Sequence, residues 1–97
     1  MFTQVPKPPE GHFNMLYFAS AGSFTAKEFE PLPAPLPLHK LFQTLEEKYT
    51  GIKAKVLESC MVTINYKYVD MPEENEESDV VIQPGDEVAL IPPVSSG

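Results

Sequence analysis

Arginine and tryptophan are missing from this chain of 97 residues, and cysteine occurs once. Each shortage excludes something. All seven bases are lysines, set against fourteen Asp and Glu, so the formal charge is -7. Nucleic-acid binding needs clustered cations, with arginine the usual reader of base edges, so no nucleic-acid partner is expected. A lone Cys60 cannot close an internal disulfide, the common staple of small secreted domains, which points to a reducing compartment. No apolar run approaches the roughly 20 residues of a membrane span. The start, Met1-Phe2-Thr3-Gln4-Val5-Pro6, lacks the basic and apolar stretches of a signal peptide. These features predict a soluble, cytoplasmic protein without a membrane partner.

Conventional catalytic and metal-binding material is equally scarce. Gly11, Gly22, Gly51, Gly85 and Gly97 stand apart from one another, so no phosphate-cradling loop is formed. His12 and His39 are distant in sequence and have no cysteine or carboxylate at zinc spacing, so both are read as surface or packing residues and no metal site is expected. Cys60 alternates with Val62 and Ile64 on one strand face, which predicts a buried thiol rather than a nucleophile.

A hydrophobic fraction of 42% suits one small globular domain. Residues 1–12, holding Pro6, Pro8, Pro9 and Gly11, read as a flexible leader; the Pro6-Lys7-Pro8-Pro9 stretch has polyproline-ligand spacing but is too short to be diagnostic. Phe13 to Ala19 reads as a strand, Ser20 to Ser23 as a loop, and Phe24 to Glu30 as a second strand. Pro31, Pro33, Pro35 and Pro37 then predict an extended crossover without regular hydrogen bonding. Leu38, Leu41, Phe42, Leu45 and Tyr49 recur at helical spacing, giving one amphipathic helix with Pro37 in its first turn and Gly51 at its end. Cys60 to Asn65 has strand period two, and Tyr66 to Met71 turns into a short strand. The acidic run Glu73, Glu74, Glu76, Glu77 and Asp79 carries most of the net charge and reads as a solvated loop able to serve as a rim for a basic partner; calcium binding is the weaker alternative, since the run lacks the glycine and alternating ligand spacing of a calcium loop. Val80 to Ile82 leads into Gln83-Pro84-Gly85-Asp86, a type II turn, and then the last strand, Glu87 to Ile91. This order places one main helix across a small mixed sheet, an α+β domain over residues 13–91.

The chain finishes in an extended tail over residues 92–97: Pro92, Pro93, Val94, Ser95, Ser96 and Gly97. Prolines stiffen its base, small residues keep it thin, and extended it would reach about 20 Å, enough to thread a partner's channel, although composition alone favours the plainer reading of a frayed small-residue end.

The segment Gln83-Pro84-Gly85-Asp86-Glu87-Val88-Ala89-Leu90-Ile91-Pro92-Pro93-Val94-Ser95 closely resembles the C-terminal region of the small, sulfur-carrying subunits of molybdopterin synthase. Phe13 to Ala19 and Ile64-Asn65-Tyr66-Lys67-Tyr68-Val69 resemble that family's first and middle strands. The resemblance implies a ubiquitin-like β-grasp fold. It further implies that Gly97 is adenylated by an E1-like enzyme using ATP, becomes a thiocarboxylate, and enters a large catalytic subunit. There it would donate sulfur to cyclic pyranopterin monophosphate, within a heterotetramer of two small and two large subunits. The chain would be a sulfur-donor subunit that itself binds no cofactor. Family members end in Gly-Gly, whereas Ser96 precedes the last glycine here. Two other readings stay open: a carrier serving thiamine or tRNA thiolation, and a β-grasp interaction module whose tail is inert.

Overall fold

The computed structural model describes residues 5–73 and 76–93. Strand β1, His12–Tyr17, lies beside β2, Phe29–Pro33, on one side and β7, Glu87–Ile91, on the other. Next come β4, Met61–Ile64, and β5, Lys67–Val69, so the sheet order is β2-β1-β7-β4-β5. β1 and β7 run parallel, and the remaining neighbours are antiparallel. A second ladder pairs β3, Leu36–Pro37, with β6, Val81–Ile82. The mixed sheet with helices on one face is the β-grasp arrangement expected, and β7 coincides with the predicted last strand.

Strand alternation decides what is buried. Phe13, Met15 and Tyr17 of β1 and Val88 and Leu90 of β7 point to the same side, where Leu38, Leu41, Leu45 and Ile52 meet them. The predicted helix divides into a 3-10 turn, Leu38–Lys40, and α2, Leu41–Lys48. Leu38, Leu41 and Leu45 are fully buried, as their spacing requires. Gly51, at φ +95, follows α2 in the left-handed conformation anticipated for it. A further short helix, α3, Ile52–Lys55, was not foreseen. It is capped from a distance: the Gly51 and Lys53 N–H groups donate to the two Glu46 carboxylate oxygens at 2.8 and 2.9 Å.

Two sequence readings need correction. The loop over 20–23 and the start of the strand over 24–30 are instead helix α1, Ala19–Thr25. Its intrinsic propensity is poor, but Ala21 and Thr25, one turn apart, are buried against the sheet, and tertiary packing overrides propensity. Gly22 permits the close approach, because a Cβ there would lie 3.1 Å from the Tyr17 carbonyl oxygen. The proline-rich stretch is also not free of pairing, since Pro31 and Pro33 belong to β2. Tyr17 N–H donates to the Glu28 carbonyl and Ala34 N–H to the Gly11 carbonyl, so the even-numbered residues face β1. Pro31 and Pro33 fall at the opposite parity on an edge strand, where no ladder donor is needed. At the other end, β1 starts at His12, and the Asn14 side chain donates to the Pro6 carbonyl at 2.7 Å, which ties Pro6 to the sheet.

Glu30 lies on the inner side of β2 and is only 6% exposed. Its Oε2 accepts hydrogen bonds from the Tyr17 and Tyr49 hydroxyls, each at 2.5 Å. Its Oε1 meets Lys27 Nζ at 3.1 Å and Lys48 Nζ at 3.4 Å. Tyr17 and Tyr49 pack edge to face, with ring centroids 6.1 Å apart. Burial pushes the Glu30 carboxyl up, but the bonds from Tyr17, Tyr49 and Lys27, with the Lys48 charge, together hold it below the ordinary value. Tyr17 is driven far above the ordinary tyrosine range, first by burial and then by Glu30. Removing this carboxylate strands a buried hydroxyl, so Glu30→Ala is expected to cost about 2–4 kcal/mol and Tyr49→Phe about 1 kcal/mol in urea denaturation. Glu30 contributes stability that is full above its ordinary value of 4.5 and lost as pH falls through its lowered one. Tyr17 contributes stability that is full below 10.0 and lost as pH rises past it. Denaturation midpoints of wild type should therefore fall at both extremes, and the acid decline should shrink in Glu30→Ala.

Candidate functional site: the end of strand β7 and the outer sheet face

β7 is held along both edges. It pairs with β1 from Asn14↔Glu87 to Tyr17↔Leu90, and with β4 from Ile64↔Val88 to Met61↔Ile91. Phe18 N–H adds one more bond, to the Leu90 carbonyl. The strand stops at Pro92, which has no N–H to continue the ladder and is buried, and the chain emerges at the exposed Pro93. Of the predicted tail residues, Pro92 and Pro93 are thus placed at the rim of the sheet, while Val94, Ser95, Ser96 and Gly97 lie outside the described residues.

The outer face of the sheet, away from the helices, is apolar beside this exit. Register aligns Phe29, Leu16, Ala89, Thr63 and Tyr68 in one row across all five strands. Leu16, Ala89 and Thr63 are 5, 7 and 6% exposed and form the floor of a depression of about 190 Å³. Phe18 and Ile91 border it next to the tail; Tyr66 and Glu87 border it at the opposite end. Tyr66 and Tyr68 stand well out, 85 and 63% exposed. A contiguous apolar surface of this kind marks an interaction site rather than a catalytic one. Among the described residues, no three His, Cys, Asp or Glu side chains converge to hold a metal ion, and no helix is long and apolar enough to cross a membrane.

The ThiS family model matches residues 15–97, which takes in the second half of β1, the outer face and the whole tail. The chain belongs to the ThiS family. It is 57% identical over 93 residues to the molybdopterin synthase sulfur carrier subunit of Phaeosphaeria nodorum, covering 94% of this chain and 96% of that one. The corresponding human subunit is 31% identical over 85 residues, covering 86% and 91% of the two chains. Among solved structures, small archaeal modifier protein 1 from Methanosarcina acetivorans superposes with TM-score 0.67 at 20% identity, covering 91% of this chain and 98% of that one. The protein–protein complex of subunits 1 and 2 of the molybdopterin-converting factor from Helicobacter pylori gives TM-score 0.56 at 22% identity, covering 89% and 99%. These structures share the β-grasp fold.

The other sequence candidates lie apart from the exit. His12 is in β1, its Nδ1–H donating to the Glu10 carbonyl at 3.0 Å. His39 accepts the Ser78 N–H at 3.2 Å through Nδ1, tying the segment that carries Glu76, Glu77 and Asp79 to the 3-10 turn before α2. Those acidic residues are exposed in irregular backbone, and Glu74 lies outside the described residues. The outer face was missed because its signal is weak: Leu16, Ala89 and Ile91 sit at the parity expected to be polar, and only that exception marks them.

Cys60, just before β4, is half-buried and directs its thiol at the Val56 carbonyl, 3.2 Å away. Burial pushes the thiol up to about 11, so almost none is thiolate at neutral pH. The thiol should accordingly react with an alkylating reagent at pH 8 about a hundredfold more slowly in the folded chain than in urea. Equal rates would show an accessible, ionised Cys60.

Proposed function

We propose that this chain is the sulfur carrier subunit of molybdopterin synthase and that Gly97 carries the sulfur. The observation that supports the reading most directly is the rooting of the tail. β7 is bonded on both edges as far as Leu90 and Ile91, so Pro92 and Pro93 are set at the rim of a rigid platform beside an apolar face. The 57% identity to a named sulfur carrier subunit, spanning nearly the full length of both chains, supports the same role for this chain.

A carboxylate is a poor acyl electrophile at pH 7, so the first step is activation. The Gly97 carboxylate attacks the α-phosphorus of ATP on an E1-like partner, and pyrophosphate leaves. A sulfur nucleophile supplied by that partner then displaces AMP from the acyl carbon, and the Gly97 thiocarboxylate remains. The tail enters the large subunit, in a heterotetramer of two small and two large subunits. There sulfur passes to cyclic pyranopterin monophosphate on the way to the dithiolene, water supplies the oxygen that replaces it at the acyl carbon, and Gly97 returns to a carboxylate to be recharged. The outer face with Leu16, Ala89 and Tyr68 is the surface the large subunit covers. The chain itself holds orientation: Pro92 and Pro93 limit the directions in which the tail departs, which lowers the entropy lost when it enters a channel. Ser96 is small enough to pass with it. The reactions take place in the cytoplasm, and ATP is consumed by the partner rather than bound by this chain alone.

Intact mass spectrometry after incubation with the adenylating enzyme, ATP and a sulfur source tests this. Wild type should gain the mass of one oxygen exchanged for sulfur, and a Gly97 deletion should gain nothing while remaining folded. An unmodified wild type, with the enzyme active on another carrier, would identify an inert interaction module instead.

A further inference from the structure

The β4–β5 hairpin closes through two residues, Asn65 and Tyr66, between the paired Ile64 and Lys67. Both have positive φ, +51 and +71, the backbone of a type I′ turn. Asparagine suits the first position, and it is used fully here. Its N–H donates to the Glu87 carbonyl at 2.7 Å, its Oδ1 accepts the Glu87 N–H at 2.9 Å, and its Nδ2 donates to Asp86 Oδ1 at 3.0 Å. Glycine suits the second position, because a side chain in left-handed backbone is strained. This chain places tyrosine there, and the ring stays 85% exposed, with Glu87 the neighbour its hydroxyl meets. Strain retained without burial points to a use outside the fold.

The position of the ring supplies that use. Tyr66 borders the depression on the outer face at its far end, four residues along β7 from Ile91 and hence about 13 Å from the root of the tail. The turn beneath it is braced by two Asn65 bonds to Glu87 of β7 and one to Asp86 just before it, so the ring is carried on the same strand that aims the tail. Glu87 lies beside it, and its charge and hydrogen bonding push the Tyr66 hydroxyl up, keeping it a neutral donor.

Resting on the sulfur-carrier reading, we infer that Tyr66 is the anchor by which the large subunit grips the carrier at the end of the outer face opposite the tail, so that two separated contacts set the tail's direction of entry. An exposed, pre-positioned tyrosine is the kind of residue that dominates protein interfaces, and a rigid turn lowers its ordering cost. The large subunit is the occupant because the depression is continuous with the tail root that it must also receive.

The test uses the full chain and measures two quantities: thermal stability of the carrier alone, and its affinity for the large subunit by calorimetry. Tyr66→Gly relieves the strain and removes the ring, so Tm should stay level or rise by about 4–8 °C while affinity falls about tenfold or more. Tyr66→Phe keeps the ring and should retain most of the affinity. Unchanged affinity in Tyr66→Gly would overturn the anchor, and so would a lowered Tm, which would make Tyr66 a residue of the fold. A wild-type chain that is charged with sulfur but binds no large subunit would instead remove the synthase reading on which the anchor rests.

Discussion

The hydrogen bonds that β7 makes on both of its edges govern most of what this molecule presents to others. A strand paired with β1 and β4 cannot twist or slide without breaking two ladders at once, so its carboxyl end leaves the sheet at one place. The helices pack beneath that strand through Val88 and Leu90, while Ala89 and Ile91 look the other way. One five-residue segment thereby serves the core, the exposed apolar face and the base of the tail. Period two does this without added elements, since each residue of the segment belongs to one side only.

The Glu30 cluster secures the same region from the helical side. Tyr17 pairs with Leu90, and its hydroxyl is bonded to Glu30, which also gathers Tyr49 and Lys48 from the end of α2 and Lys27 from the turn before β2. A buried carboxylate is costly when alone, but here both oxygens are satisfied twice. In a chain of net charge -7, two of only seven cations are committed to this one acid. The rest of the surface is left predominantly negative, with the acidic segment projecting from the helical side.

Much of this was legible in the residues. The spacing of Leu38, Leu41 and Leu45, the Pro84-Gly85 turn and the alternation in Cys60 to Asn65 each identify their element, because each is decided locally. The turn is confirmed by Gly85 at φ +88 and by the Asp86 N–H bonded to the Gln83 carbonyl at 3.1 Å. Helix α1 was not legible, because its small residues are held by packing on Tyr17 that only the folded sheet provides. Pairing at Pro31 and Pro33 was hidden for a related reason: whether a missing N–H matters depends on which edge of the strand it faces. Glu30, Tyr17, Tyr49, Lys27 and Lys48 meet from four stretches of chain, and no spacing rule links them. The tail was read from its motif, and the structure places its first two residues, Pro92 and Pro93, at the rim of the sheet.

Pro31 and Pro33 have a consequence beyond the strand that contains them. A protein with an apolar sheet face and sheet edges open to solvent risks stacking with its own copies, edge to edge, into a continuous sheet. The outward rim of β2 lacks the amide hydrogens that a second copy would need at alternate rungs, and β5 on the opposite rim is only three residues long. Neither border can template growth, so encounters between copies end without propagating. The molecule can therefore keep its working face uncovered while it waits for a partner, and association is steered toward the face and the chain end instead of the rim.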